Sequence, residues 1–118
     1  MIQIFGTAKC KGTRAAQRFF AERRVKVQVI DVREKGMSKG ELASVARAVG
    51  GMQKLYDAEG ARAADRGLRH AAPSEARLAE LLLEDASLLR TPIVRDGTKA
   101  VVGSAEGTWK VFADAYRA

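Results

Sequence analysis

The sequence predicts a single α/β domain over residues 1–118, in which a strand-helix-strand unit and a strand-strand-helix unit flank a helical insertion. Three observations predict this fold class. Short β-prone segments occur near both ends of the chain, two helical patterns lie within residues 38–88 and flank a less certain part at 52–72, and an Asp-Gly turn joins the last two β-prone segments. Because a useful core needs roughly 50 residues or more, a chain of this length favours one core. The strand-helix-strand and strand-strand-helix units together give four strands in a mixed sheet.

The first part of the chain alternates strand and helix patterns. Residues 2–5 are apolar and are followed by Gly6-Thr7, which predicts a buried strand that ends in a loop. From about 12 to 24, apolar residues recur four positions apart, which predicts an amphipathic helix. Residues 25–31 then alternate with a period of two through three valines, so a second strand follows.

Capping residues define two helices in the insertion. Ser38 precedes Glu41 by three residues, a spacing at which the two side chains satisfy unpaired amides at a helix start. The glycine pair at 50–51 ends that helix. Ser74 can cap a second helix across residues 73–84, so the insertion is expected to be mostly helical.

The last part of the chain predicts a hairpin and a helix. Residues 91–95 and 99–103 are β-prone and flank a Gly-containing turn, which is typical of an antiparallel hairpin. Ser104 is expected to cap a final helix. The spacing i, i+3, i+4, i+7 predicts that its buried face contains Trp109, Phe112, Ala113 and Tyr116.

Composition and charge distribution indicate which kinds of binding partner to expect. The net charge of +7 favours acidic partners, but Lys and Arg are interleaved with Asp and Glu, so no direct nucleic-acid binding is expected. Arg62, Arg66 and Arg69 fall at helical spacing and are either a solvated helix face or a functional patch. No stretch approaches the roughly 18 apolar residues of a membrane span, and the N-terminus resembles a strand more than a signal peptide. No membrane association is expected.

Cys10 is the only cysteine, so no internal disulfide is possible and a reducing compartment, the cytoplasm, is expected. His70 has no Cys, Asp or Glu pattern at metal-ligand spacing around it and is expected at the surface. No Walker or Rossmann glycine pattern is present. The sequence therefore predicts neither a metal site nor a tightly bound cofactor.

Cys10 lies in the loop that leads from the first strand into the first helix. Free N–H groups and the helix dipole favour an anion at such a position, and Lys9, Lys11 and Arg14 add positive charge. We therefore expect a lowered pKa for the Cys10 thiol and a thiolate able to attack disulfides or oxyanions. The alternative is that Cys10 is an inert small residue.

Two further features accompany Cys10. Thr13 stands where dithiol enzymes carry the second cysteine of Cys-x-x-Cys, so any catalytic cycle must use a thiol from glutathione or a partner protein. Its hydroxyl could stabilise the thiolate or could simply bond to the helix backbone. Pro92 opens the third strand, where proline is tolerated, and the sequence leaves its isomer open.

Residues 7–14, Thr-Ala-Lys-Cys-Lys-Gly-Thr-Arg, and residues 88–94, Leu-Leu-Arg-Thr-Pro-Ile-Val, resemble the two signatures of the ArsC/Spx family. The resemblance extends over nearly the whole chain, through residues 34–42 and 102–103. It implies a thioredoxin-like fold with a helical lobe inserted between the second and third strands. It also implies a site in which Thr91-Pro92 presents backbone to a substrate thiol.

The resemblance implies Cys10 as the nucleophile and matches Arg14 to an arginine of the family's loop-to-helix motif. Together with the reading of the residues themselves, it makes Cys10, Thr13 and Arg14 the candidate catalytic residues. The candidate substrate-binding residues are Lys9, Lys11, Gly12, Arg90, Thr91 and Pro92. The family's arsenate reductases grip the oxyanion with arginines, but Thr91 replaces the arginine directly before the proline. Arg90 comes one place earlier and is expected on the opposite face of an extended segment, so the oxyanion grip is incomplete.

Three functions remain open. The leading one is a monothiol oxidoreductase that uses the Cys10 thiolate on a small thiol's disulfide or a protein disulfide, with glutathione or another external thiol as co-substrate. The second is a non-catalytic module of the Spx type, which would bind a protein partner through the helical lobe. The third is arsenate reduction.

Overall fold

A computed structural model describes residues 1–68 and 70–116 of the chain. Four strands form one mixed sheet in the order β2-β1-β3-β4. The strands are β1 (Ile2–Gly6), β2 (Val27–Asp31), β3 (Ile93–Asp96) and β4 (Lys99–Val102). β1 pairs in parallel with β2 and antiparallel with β3, and β4 completes a hairpin with β3. The predicted fold class is confirmed.

Helices cover both faces of this sheet within the described part of the chain. They are α1 (Lys11–Glu22), α2 (Lys39–Val49), α3 (Ala61–Asp65), α4 (Glu75–Glu84) and α5 (Glu106–Asp114), with short 3₁₀ helices at Met52–Lys54 and Ala86–Leu88. All elements from α2 to the second 3₁₀ helix lie between β2 and β3. We call these elements the helical lobe. Among residues 1–68 and 70–116, no helix has the length and apolar character needed to span a bilayer.

The predicted caps in the lobe form as expected. The Ser38 hydroxyl accepts a hydrogen bond from the Glu41 amide at 3.1 Å, and the Glu41 carboxylate accepts one from the Ser38 amide at 2.9 Å. Gly50 ends α2 with φ of 103°, a left-handed conformation that costs glycine little. The Ser74 hydroxyl accepts from the Arg77 amide and caps α4.

The C-terminal helix differs from the prediction. α5 begins at Glu106, its N-cap is Ala105 and no side chain caps it, so the expectation for Ser104 is wrong. Tyr116 is also not part of the buried face, because the helix ends at Asp114 and the tyrosine lies beyond it, 47% exposed. The Tyr116 hydroxyl instead donates to the Asp96 carboxylate at 2.6 Å.

Two cores lie on opposite faces of the sheet because successive side chains of a strand point to opposite sides. Ile4 of β1 packs with Phe20 and Trp109 against α1 and α5. The next residue, Phe5, faces the helical lobe and belongs to the second core. Truncating a buried aromatic such as Phe5 to alanine costs about 3–5 kcal/mol. The carboxyl end of β1 is therefore held rigidly between the two layers, and the loop with Cys10 follows it directly.

Candidate functional site

The loop after β1 places Cys10 at the N-cap of α1. The Cys10 amide donates to the Thr7 carbonyl at 3.1 Å, and the Arg14 amide donates to the Cys10 carbonyl at 3.1 Å. Cys10 has extended dihedrals, φ −79° and ψ 119°, and is partly exposed. The first N–H groups of a helix have no partner within the helix, so the Cys10 side chain lies where a negative charge is favoured.

The loop before β3 closes the site from the other side. The Thr91-Pro92 peptide bond is cis. The Cys10 thiol donates to the Thr91 carbonyl at 3.5 Å, a contact between residues 81 positions apart. Gly12 allows this approach, because a Cβ at that position would lie 2.7 Å from Pro92 Cδ. The structure thus brings together Cys10, Gly12, Thr91 and Pro92, as the sequence predicted.

Thr13 is buried at the base of the site. The residue is 1% exposed, and its Oγ1 atom has no hydrogen-bond partner among the described residues. Its side chain packs over Gly6, where any added Cβ would collide with it. A buried hydroxyl without a partner is uncommon and calls for a physical explanation.

The charge state of Cys10 supplies that explanation. Partial burial raises the pKa of the Cys10 thiol, but hydrogen bonds to the sulfur outweigh this effect and hold the pKa below its ordinary value. The Thr13 hydroxyl contributes most, then the Thr91 hydroxyl, then the amides of Thr13 and Gly12. The Thr13 hydroxyl has no other hydrogen-bond partner among the described residues, so the Cys10 thiolate is the acceptor available to it.

Lys9, Lys11 and Arg14 are the cations predicted to lower the Cys10 pKa. Lys9 and Lys11 are exposed. The Arg14 guanidinium donates to the Ala8 carbonyl at 2.8 Å and so braces the loop. None of the three is among the causes of the lowered Cys10 pKa. That these charges lower the pKa stays a prediction; the hydrogen bonds act at contact distance, whereas exposed charges are screened by solvent.

Arg90 does not join the site. It is exposed and lines a depression with residues 56–59 of the helical lobe, while Thr91 lines a different depression. The Arg90 amide is fixed by the Leu55 carbonyl at 2.7 Å. The prediction of Arg90 as a substrate-binding residue is corrected, because successive residues of an extended segment face opposite sides.

The cationic stripe of the helical lobe is internally paired. Arg62 Nε lies 2.6 Å from Asp85 Oδ2, and Arg66 contacts Glu84 at 3.0 Å and Asp85 at 3.4 Å. These arginines tie α3 to the end of α4. Arg69, the third member of the predicted stripe, lies outside the described residues. The two described arginines therefore form a structural cluster that holds α3 against the end of α4.

Two residues near the site were missed from the sequence. Arg33 and Asp57 line an open depression with a volume of about 190 Å³, whose wall also includes Thr7 and Thr91. Arg33 had a usable signal, since it comes just after a predicted strand whose carboxyl end neighbours that of β1. Asp57 had none, because it lies in the part of the insertion with no clear pattern.

A βαβ unit joined to a ββα unit, with one cysteine capping α1 opposite a cis proline, defines a thioredoxin-like protein with a one-cysteine site. The sequence profile of the ArsC family matches residues 5–112, almost the entire chain. The chain belongs to the ArsC family.

Solved structures agree with this assignment. An ArsC-family-related protein from Bacteroides fragilis superposes with a TM-score of 0.84 at 16% identity, over 93% of this chain and 95% of that one. The arsenate reductase from Vibrio cholerae gives 0.81 at 20% identity, with coverage of 93% and 95%. A protein from Staphylococcus aureus COL gives 0.79 at 24% identity, with coverage of 94% and 97%. No curated protein matches the chain significantly by sequence. The likeness to these structures establishes the fold.

Proposed function

We propose that this protein is a monothiol redox protein in which the Cys10 thiolate reduces a disulfide or another oxidised thiol. The observation that carries the proposal is the hydrogen-bonding environment of the Cys10 sulfur, which lowers its pKa at the N-cap of α1. Membership of the ArsC family, in which solved neighbours include a protein described as an arsenate reductase, supports redox chemistry at this position.

The reaction proceeds by two thiol-disulfide exchanges. The Cys10 thiolate attacks one sulfur of the substrate disulfide, and the second substrate sulfur leaves with the electron pair as a thiolate. The product is a mixed disulfide on Cys10. A second, external thiolate attacks the substrate sulfur of this mixed disulfide and releases Cys10 as a thiolate, because the chain has no other cysteine. Glutathione or another external thiol is the proposed reductant, and the mechanism requires no tightly bound cofactor.

The surrounding residues orient these steps. The Thr13 hydroxyl and the amides of Gly12 and Thr13 stabilise the attacking and departing thiolate of Cys10. The backbone at Thr91 is the proposed docking edge for the substrate, since its carbonyl lies 3.5 Å from the Cys10 sulfur. A thiolate that leaves easily also shortens the lifetime of the mixed disulfide. We propose that the protein acts in the reducing environment of the cytoplasm.

Arsenate is a less favoured substrate. A tetrahedral oxyanion is best held by bidentate guanidinium groups. Thr91 stands directly before Pro92, Arg90 faces a separate depression, and Arg14 is bonded to the Ala8 carbonyl. The arrangement favours a sulfur substrate over an oxyanion.

A second candidate function is protein binding by the helical lobe. An apolar depression of about 410 Å³ lies between α2 and α4 and is lined by Leu42, Met52 and Leu83, among others. Leu83 is 37% exposed, and an exposed leucine beside an apolar depression is a feature of protein-binding surfaces. This surface differs from the arginine cluster, whose charges are already paired. Partner binding that survives Cys10→Ser and is lost on Leu83→Glu would favour this candidate.

The test of the redox proposal measures Cys10 directly. We expect the pH midpoint of Cys10 alkylation by iodoacetamide to lie below that of a free thiol, about 8.5. We also expect Cys10→Ser to abolish formation of a mixed disulfide with hydroxyethyl disulfide, followed by intact mass. An ordinary midpoint together with a reaction rate no greater than that of a free thiol would refute the proposal.

A further inference from the structure

The two edge strands of the sheet, β2 and β4, differ in how well they are protected against pairing with another strand. An edge strand presents unpaired N–H and C=O groups, and proteins commonly protect such an edge with a charged side chain within the strand. β4 begins with the exposed Lys99. β2 has no charged side chain before its last residue, Asp31, and Val29 at its centre is 43% exposed. β2 is therefore the less protected edge.

The hydrogen bonds at the end of β2 show which of its backbone groups face outward. The Val32 amide donates to a carbonyl of β1 at 3.1 Å, so this amide points towards β1. Because the backbone groups of successive strand residues point to opposite sides within the sheet, those of Gln28 and Ile30 also point towards β1. The N–H and C=O groups of Val27 and Val29 therefore point away from the sheet.

These outward groups have no backbone partner in the described part of the chain. The next outward carbonyl, that of Asp31, accepts the Glu34 and Lys35 amides at 3.2 and 3.0 Å. The open edge is thus limited to Val27 and Val29, each of which offers one donor and one acceptor.

The two faces of the sheet beside this edge differ in chemistry. Val27 packs against the core formed with α1 and α5, and Val29 lies on the same face because side chains two positions apart share a face. Gln28 lies on the opposite face, where it lines an open depression of about 360 Å³ together with Lys35. Lys26 directly precedes the strand and is exposed. One face is therefore apolar, and the other is polar with nearby cations.

These cations have no carboxylate partner in the part of the chain that the structure describes. Lys26 and Lys35 are both exposed and belong to none of the ion pairs found there. The carboxylates of Asp31 and Glu41, by contrast, each accept a backbone amide at 2.9 Å. The net charge of +7 adds to the attraction for an acidic partner and opposes pairing with a second copy of this chain.

We propose that the open edge of β2 binds an extended acidic segment of a partner protein, in which acidic and apolar residues alternate. The backbone of this segment pairs with Val27 and Val29, its apolar side chains lie beside Val29, and its carboxylates face Lys26 and Lys35. In this mode of recognition the main-chain hydrogen bonds give affinity and the alternate side chains give specificity. The interaction uses no atom of Cys10, so it is independent of the proposed redox function.

The first test is a titration with a short acetylated and amidated peptide of alternating glutamate and valine. We expect the peptide to slow hydrogen exchange at the Val27 and Val29 amides, followed by NMR. The Gln28 and Ile30 amides, which already face β1, should not change and serve as internal controls. A peptide with lysine in place of glutamate should bind more weakly. Equal binding of the two peptides, or protection confined to other residues, overturns the inference.

N-methylation of the acidic peptide tests the backbone pairing without any change to the protein. Methyl groups on every second amide remove the donors from one edge of the peptide strand. Two peptides are made, with the methyl groups in alternate registers. The one whose methyl groups face β2 should lose binding, and the other should keep it. Equal binding by both would show that the peptide does not add as a strand.

Variants of the protein test the edge itself. Val29→Pro removes an outward N–H at a position where an edge strand tolerates proline, and should weaken binding roughly five-fold, the effect of one lost hydrogen bond. Lys26→Gln and Lys35→Gln should each weaken binding roughly two- to five-fold, the range of one exposed ion pair. Lys99→Gln, on β4, changes the net charge equally and should leave binding unchanged. An equal loss in Lys99→Gln contradicts the proposal. Circular dichroism checks the fold of each variant, and the methylated peptides decide if Val29→Pro does not fold.

Analytical ultracentrifugation of the free protein tests the other possible occupant of the edge. A second copy of this chain would pair its own β2 with this strand, and the Val27 and Val29 amides would then be protected without any peptide. We expect a monomer, because two chains with a net charge of +7 repel each other. A dimer that Val29→Pro dissociates would overturn the inference.

Discussion

The loop at Cys10 and the arginine cluster of the helical lobe both concentrate positive charge, but only the charges of the arginine cluster form ion pairs among the described residues. In the lobe, Arg62 and Arg66 each reach Asp85, and Arg66 also reaches Glu84. At the Cys10 loop, Lys9 and Lys11 are exposed and pair with no carboxylate in the described part of the chain. The charges of the arginine cluster hold secondary-structure elements together, whereas the lysines of the Cys10 loop are exposed to solvent.

The comparison shows that contact geometry decides what a charged side chain does. Asp85 is only 12% exposed and receives donors from two arginines and from the Ser87 amide. Cys10 is likewise surrounded by donors, but these are the hydroxyls of Thr13 and Thr91 and two backbone amides. In both regions the anion is stabilised by hydrogen bonds at contact distance. The number of nearby lysines and arginines predicts neither the pairing of Asp85 nor the stabilisation of the Cys10 thiolate.

The largest change in the free energy of unfolding is expected for substitution of Asp85. Asp85→Ala removes the acceptor for Arg62 and Arg66 and the cap of the second 3₁₀ helix, so the free energy of unfolding should fall by about 1–2 kcal/mol. Chemical denaturation followed by circular dichroism measures this. Glu84→Ala is the matched control, because the Glu84 side chain is 56% exposed and an exposed ion pair contributes about 0–1 kcal/mol. Equal losses in the two variants would contradict the special role of Asp85.

Acidification tests the same carboxylate. Burial raises the Asp85 pKa, but hydrogen bonds from Arg62 and the Ser87 amide, with the charge of Arg62, lower it by more. Since the folded pKa lies below the unfolded value of about 3.9, the stabilisation is present above that pH and is lost as pH falls through the folded pKa. The stability difference between wild type and Asp85→Asn should be constant from pH 5 to 7 and shrink below about pH 4.

A smaller and more specific effect is expected at Thr13. Thr13→Val keeps the shape of the side chain and removes the hydroxyl that stabilises the Cys10 thiolate, so the Cys10 pKa should rise. Alkylation should then be slower at neutral pH and unchanged at a pH where the thiol is fully ionised. At a pH where the Cys10 thiol is protonated, the free energy of unfolding should stay the same or increase, because the lost hydroxyl is then buried without a partner.

Thr98→Val is the matched control for this substitution. Thr98 is exposed in the hairpin turn, so its valine variant should leave the alkylation midpoint unchanged. A Thr13→Val protein with the wild-type midpoint would show that the Thr91 hydroxyl and the helix amides suffice to stabilise the thiolate.

The smallest change in the Cys10 alkylation midpoint is expected for substitution of the two lysines in the Cys10 loop. Lys9→Gln and Lys11→Gln should leave the alkylation midpoint of Cys10 essentially unchanged at 0.15 M salt, because exposed charges are screened over about 8 Å. The measurement is repeated at low ionic strength, where screening is weaker. A clear rise of the midpoint at 0.15 M salt would show that the loop charges, and not only the hydrogen bonds, stabilise the thiolate.

Local patterns explain which predictions succeeded. The capping box of Ser38 and Glu41 joins residues three positions apart, so the sequence contains all the information it needs. Burial of Trp109 follows in the same way from helical periodicity. The same periodicity fails at Tyr116, because α5 ends at Asp114 and no local signal marks that end.

The sequence by itself determined the order of strands and helices, the family resemblance and the position of Cys10 at a helix start. These follow from periodicity and from capping between near neighbours. The tertiary structure alone decided that the Thr91 carbonyl meets the Cys10 sulfur across 81 positions. It also decided that Asp85 pairs with the lobe arginines, and that Arg33 and Asp57 line one depression beside Thr91. The physical reason is that charges and hydrogen-bond donors act mainly on the groups they contact. The sheet topology brings residues that are far apart in the sequence into contact, and their sequence spacing does not predict which ones meet.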